Sequence, residues 1–152
     1  MNVSAKVDYA MRALLTLAAW PTPGPVKGEM LAREQDIPLK FLENILIELR
    51  RSGIVRSQRG SEGGYWLARP ADQISVADVI RAVEGPLAEV RGIRPEVADY
   101  HGPAAHLNQV WVAMRASLRL VLEPTSLADI VAGTLPAAAQ RLMDDPEVWL
   151  SH

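Results

Sequence analysis

The residues with the most distinctive chemistry are four arginines, Arg50, Arg51, Arg56 and Arg59, in a stretch from Leu49 to Ser61 that holds no acidic residue. Guanidinium groups spaced this way, interleaved with Ser52, Ser57 and Gln58, suit a polyanion, because each can donate charge-assisted hydrogen bonds to phosphate oxygens. The bland alternative is a solvated basic face. Nothing comparable points to catalysis. The absence of cysteine removes thiol nucleophiles, disulfides and thiolate-held metal centres. The phosphate-cradling GxxxxGK, the zinc-binding HExxH and the nucleophile elbow are also missing, so an enzyme is not expected. His101 and His106 lie near Glu96 and Asp99, a donor set that suits a borderline metal. Their spacing does not align them on one helix face, and ordinary surface histidines are the simpler reading.

The elements around the arginines must position them. Ser4 to Ala19 carries an apolar face of Val7, Ala10, Met11, Leu14, Leu15 and Ala18 behind a capping serine, the pattern of a first helix. Val26 to Gln35 is a short second helix with Met30 and Leu31 inward and no usual cap residue. Pro38 to Ser52 is a third helix that buries Leu42, Ile45, Leu46 and Leu49 and stops at Gly53. Two helices across a tight turn follow helix-turn-helix logic. Ile54 to Gln58 and Tyr65 to Arg69 then form a hairpin around the glycine-rich tip Arg59–Gly64, a wing directly after the recognition helix.

Ser75 opens a fourth helix through a capping box with Asp78, and this helix ends before Gly85. Pro86 to Pro103 is irregular and long enough to suggest a function. Ala104 to Leu122 is the longest helix, with a stripe of Leu107, Val110, Trp111, Met114, Leu118, Val121 and Leu122. Ser126 to Gly133 is a further capped helix, and Leu135 to His152 a final helix and tail. Trp20, Trp66, Trp111 and Trp149 are expected as core or interface anchors.

The net charge of −2 conceals a division. Residues 1–70 hold 10 Lys and Arg against 7 Asp and Glu, whereas residues 71–152 hold 6 against 11. The basic half is the expected nucleic-acid face. No apolar run is long enough to span a membrane, and the cytoplasm is the expected location.

Three strings carry a family resemblance over residues 1–87: SAKVDYAMRALLTLA, DIPLKFLENILIELRRSGIVRSQRGSEGGYWLARP and ISVADVIRAVEGPL. They resemble the Rrf-two family of bacterial transcription regulators, which includes iron–sulfur-cluster, nitric-oxide and cysteine-metabolism repressors. The resemblance implies a mainly α fold with a small β-hairpin: a winged helix-turn-helix followed by a long dimerisation helix. It also implies a homodimer on a near-palindromic operator. The third-helix start, Lys40, Phe41, Glu43 and Asn44, would enter the major groove, and the tip Arg59-Gly60 the minor groove. Chemistry is consistent with these roles, since Asn suits adenine, Glu accepts from cytosine N4, and arginine suits a narrow groove. Arg50, Arg51, Arg56 and Ser57 are placed for phosphates.

The departure from the family lies downstream. Many members hold a cluster on three cysteines, but the matching segment Ile93–Asn108 has none. Where other members add an acidic residue and a histidine on the first helix, this chain has Asp8 and Arg12. No cluster or other cofactor is therefore expected.

The expected organisation is a DNA-binding domain over 1–85, a candidate sensing loop over 86–103 and a helical dimerisation region over 104–152. Leu107, Trp111, Met114, Leu118 and Val121 are the expected dimer contacts. Arg91, Arg94, Tyr100 and His101 are candidates for contact with a small-molecule effector. The expected function is a homodimeric repressor binding double-stranded operator DNA. A dimeric winged-helix module for a protein partner, and a metal sensor using His and carboxylate ligands, are the alternatives.

Overall fold

A computed structural model describes residues 1–151. Helix α1 (Ala5–Ala18) begins where Ser4 Oγ accepts from the Val7 N–H at 3.2 Å, and buries Val7, Ala10, Ala13, Leu14 and Leu17. Helix α2 (Gly28–Gln35) starts without a side-chain cap and stops at Asp36, whose φ is +52°. Its inward stripe is Gly28, Leu31 and Ala32, with the Gly28 Cα close enough to Leu46 that an added Cβ would lie 3.5 Å from its Cδ1. Met30, expected inward, lies off that i, i+3, i+4 stripe and is exposed.

Helix α3 (Leu39–Arg51) buries Leu42, Ile45, Leu46 and Leu49 as its spacing predicts, and Gly53 follows with φ +74°. Strands β1 (Val55–Gln58) and β2 (Gly64–Leu67) pair antiparallel with Val55 opposite Leu67 and Gln58 opposite Gly64. The hairpin gains one more rung. Val26 and Tyr65 exchange backbone hydrogen bonds of 2.9 and 2.8 Å, so the segment before α2 lies along β2. That approach requires Gly64: its φ is +150°, and a Cβ there would lie 2.5 Å from the Val26 carbonyl.

Helix α4 (Val76–Glu84) has the expected capping box between Ser75 and Asp78. The chain from Gly85 to His106 is irregular apart from short 3₁₀ turns at Pro95–Val97 and Gly102–Ala104. Gly102-Pro103 takes the latter turn, so the long helix α5 begins at Leu107 rather than Ala104 and runs to Leu122. Helix α6 (Leu127–Ala132) repeats the capping box with Ser126 and Asp129. Helix α7 (Ala137–Met143) is shorter than the sequence pattern suggests, because Pro146 breaks it and Pro146–Trp149 is a 3₁₀ turn. Trp149, expected as an anchor, is exposed, and His152 lies outside the described residues.

One core joins α1, α2, α3, α4 and the base of the hairpin, and it includes Leu127 from α6. The two capping boxes meet back to back, where Val76 N–H donates to Thr125 and Leu127 N–H to Ile74. Helix α5 differs from this core. It has no buried residue; its stripe of Leu107, Trp111, Met114, Leu118 and Val121 is half-buried, and Val110 and Leu120 are 56% and 63% exposed.

The Gly64 contact gives a stability prediction. Gly64→Ala is expected to lower unfolding free energy by about 1–3 kcal/mol through overpacking. Urea denaturation measures it, and an unchanged midpoint would show that the strand and the Val26 segment do not meet this closely.

Candidate nucleic-acid interface

The core side of α3 dictates its outer side. With Leu42, Ile45, Leu46 and Leu49 turned inward, Lys40, Phe41, Glu43 and Asn44 are left exposed near the helix start, and Phe41 is 65% exposed. No side chain caps this helix, so its first-turn N–H groups and positive dipole end remain available to an anion. At the other end Arg50 and Arg51 are exposed, and Arg50 Nη1 donates to Ser57 Oγ at 3.4 Å. Strand alternation turns Val55 into the core and Arg56 and Gln58 outward. Arg59 and Gly60 sit on the exposed tip, where Gly63 N–H donates to Gly60 at 3.0 Å.

Three other cations in the same half of the chain are paired, while Lys27 and Arg33 are, among the described residues, in no ion pair. Lys6 contacts Glu48 at 2.7 Å, Arg12 contacts Asp8 at 2.9 Å, and Arg69 contacts Asp78 at 3.2 Å. Among the described residues, Lys40, Arg50, Arg51, Arg56 and Arg59 form no ion pair. Glu43 and Glu62 are exposed carboxylates on the same elements. The resulting surface is rich in unneutralised guanidinium groups, the form in which arginine can meet phosphates.

Sequence reasoning did not single out Arg69. Its guanidinium donates to the Gln73 carbonyl at 3.0 Å, to Asp78 Oδ2 at 3.2 Å and to the Gly53 carbonyl at 3.4 Å. It therefore fastens the hairpin exit to both the α3–β1 turn and the cap of α4. The available signal was Asp78, whose carboxylate retains acceptor capacity after accepting from Ser75 N–H.

The candidate effector residues are not gathered in one place. Arg91 lies over the Tyr100 ring, 6.0 Å from its centroid, and Tyr100 Oη accepts from Trp111 Nε1 at 3.2 Å. This brings the loop against α5. His101 is exposed. Arg94 instead lines a cleft with Arg81, Arg115 and Arg119. In that region Glu96 is held below the ordinary carboxylate range chiefly by its own backbone hydrogen bond and then by Arg115, against opposing desolvation. Glu123 is held low by hydrogen bonds from Arg81 and Arg119.

The proposed His and carboxylate metal set is likewise dispersed. Glu96 is engaged by Arg115 at 2.5 Å, and His106 Nδ1 faces Gln109 at 3.2 Å. Asp8 is engaged by Arg12. Among the described residues, no three His, Cys, Asp or Glu side chains are grouped to hold a metal ion.

Comparison with known proteins places this arrangement. Residues 3–133 match the family Rrf2, whose description is iron-dependent transcriptional regulator. Rv1287 of Mycobacterium tuberculosis, which bears an HTH-type transcriptional regulator name, is 50% identical over 145 residues, covering 95% of this chain and 90% of its own length. CymR of Bacillus subtilis is 32% identical over 134 residues, with coverage of 88% and 92%. Its structure, that of the global cysteine regulator, superposes with a TM-score of 0.73 over 88% of this chain and 98% of its own. The structure of IscR from T. potens matches with a TM-score of 0.68 and 31% identity, covering 100% of this chain and 93% of the other. The iron dependence in the family description finds no fitting donor set here, because thiolates are absent and Asp8 and Glu96 are engaged by arginines. Across scaffold, helix-turn-helix and wing, the chain belongs to the Rrf2 family of transcriptional regulators.

Proposed function

We propose that this regulator, which is not an enzyme, works as a cluster-independent homodimeric repressor on a near-palindromic operator. The observation that carries the DNA-contact assignment is the unneutralised arginine surface running from the end of α3 onto the wing. In this reading Lys40, Phe41, Glu43 and Asn44 contact base edges in the major groove. Arg50, Arg51, Arg56 and Ser57 hold phosphates, while Arg59 and Gly60 probe the minor groove. Residues 1–85 bind DNA, 86–103 form a sensing connection and 104–152 serve assembly.

The half-buried stripe of α5 supports the dimer. Leu107, Trp111, Met114, Leu118 and Val121 have one side against their own chain and apolar surface left over, which a second copy of the helix would cover. Crossed long helices then set the two recognition helices ~34–36 Å apart, one turn of duplex.

Arg59→Ala is expected to weaken operator binding by about 1–3 kcal/mol, measured by fluorescence anisotropy; an unchanged dissociation constant would remove the wing from recognition. Arg51→Ala is expected to weaken cognate and random duplexes alike and to reduce the magnitude of the log K against log salt slope by about one. A loss confined to the operator would contradict its phosphate role, and wild-type binding with no salt dependence would favour a protein partner over DNA. Leu118→Asp is expected to give monomers in sedimentation, because it buries a charge in an apolar interface. A wild-type dimer mass would place the interface elsewhere.

A further inference from the structure

The cleft lined by Arg94 has a composition that the proposed DNA surface does not use. Its guanidinium groups come from three parts of the fold: Arg81 from α4, Arg94 from the irregular connection, and Arg115 and Arg119 from successive turns of α5. Pro86, Leu87 and Ala88 supply an apolar wall, and the cleft measures about 290 Å³. We propose that this cleft binds a small oxyanion carrying two negative charges, the chemistry shared by phosphate, sulfate and dicarboxylates.

Its internal charge balance supports that assignment. Glu96 contacts Arg115 at 2.5 Å and Arg94 at 3.9 Å, and Glu123 contacts Arg81 at 2.5 Å and Arg119 at 3.0 Å. Four guanidinium groups thus share two carboxylates in these ion pairs, in a half of the chain that is otherwise acidic. A guanidinium has five N–H donors, so each retains capacity for another acceptor. Arg94 is especially available: its side chain is 74% exposed and its ion pair is long. Purely internal bracing of α5 against α4 would need no open cleft. An oxyanion between these groups would gain bidentate, charge-assisted contacts beside an apolar wall.

The location also gives binding a mechanical consequence. Arg81 belongs to an α4 whose inward face, including Val79 and Val83, is part of the core, whereas Arg115 and Arg119 belong to the helix outside it. An anion held by both would tie α5 to the helix-turn-helix body. The site stands independently of the DNA assignments, and its test does not use DNA.

Calorimetric titration of the full chain at constant temperature, with sodium phosphate, sulfate or succinate against sodium chloride of matched ionic strength, tests the proposal. At least one dianion is expected to bind saturably, and the preference among the three identifies the headgroup class. Arg94→Ala and Arg119→Ala, both at well-exposed side chains, are expected to weaken binding roughly tenfold, as loss of a charge-assisted hydrogen bond does. Arg141→Ala on α7, an exposed arginine outside both the cleft and the proposed DNA surface, is expected to leave it unchanged. Binding by none of the three, binding undiminished in both cleft variants, or binding abolished by Arg141→Ala would each overturn the proposal. Circular dichroism of each variant identifies any loss that comes from unfolding; for such a variant, lysine replacement at the same position is expected to retain weakened binding, and undiminished binding would again overturn it.

Discussion

The functional geometry depends on the close backbone approach between Val26 and Tyr65. A two-stranded hairpin alone is marginal in water, and its orientation would be set only by its connections. The additional rung fixes β2 against the segment entering α2, and the missing Cβ of Gly64 permits that contact. Arg69 secures the other end of the hairpin to Gly53, Gln73 and Asp78. With both ends fixed, the outward residues of α3 and the wing tip are held in a defined relation rather than as separate mobile cations.

The charged surface follows the same division between support and contact. Lys6, Arg12 and Arg69 are paired within the winged-helix body; Lys6 reaches from α1 to α3, Arg12 also donates to the Gln35 carbonyl at the end of α2, and Arg69 joins the hairpin exit to α4. The cations of α3 and the wing lack such partners among the described residues. Leaving them exposed avoids the desolvation cost of burying a charge and keeps their donors available.

The segment beyond Gly85 joins two different environments. Helix α5 carries an apolar stripe without a buried residue, whereas α6 returns Leu127 to the central core. The long helix is thus held at its far end through the paired capping boxes and near its start by the Tyr100–Trp111 hydrogen bond. Between those supports, the arginine cleft connects it to α4. In the proposed dimer, these contacts would couple the assembly helix to the DNA-binding body without cysteine chemistry.

Local rules made much of the fold legible. Serine and aspartate at fixed spacing determined the capping boxes of α4 and α6, and the apolar period determined the buried face of α3. The absence of thiolates was likewise a property of the sequence alone. Other features required the three-dimensional arrangement. Met30 faced outward because α2 used the stripe of Gly28, Leu31 and Ala32. Leu127 joined the core because the chain returned after α5, and Arg94 met Arg81, Arg115 and Arg119 rather than Arg91, Tyr100 and His101. Caps and periodic faces arise from interactions a few residues apart, so sequence determined them. The pinned wing and the arginine cleft join residues far apart in the chain, and only tertiary packing decided which of them met.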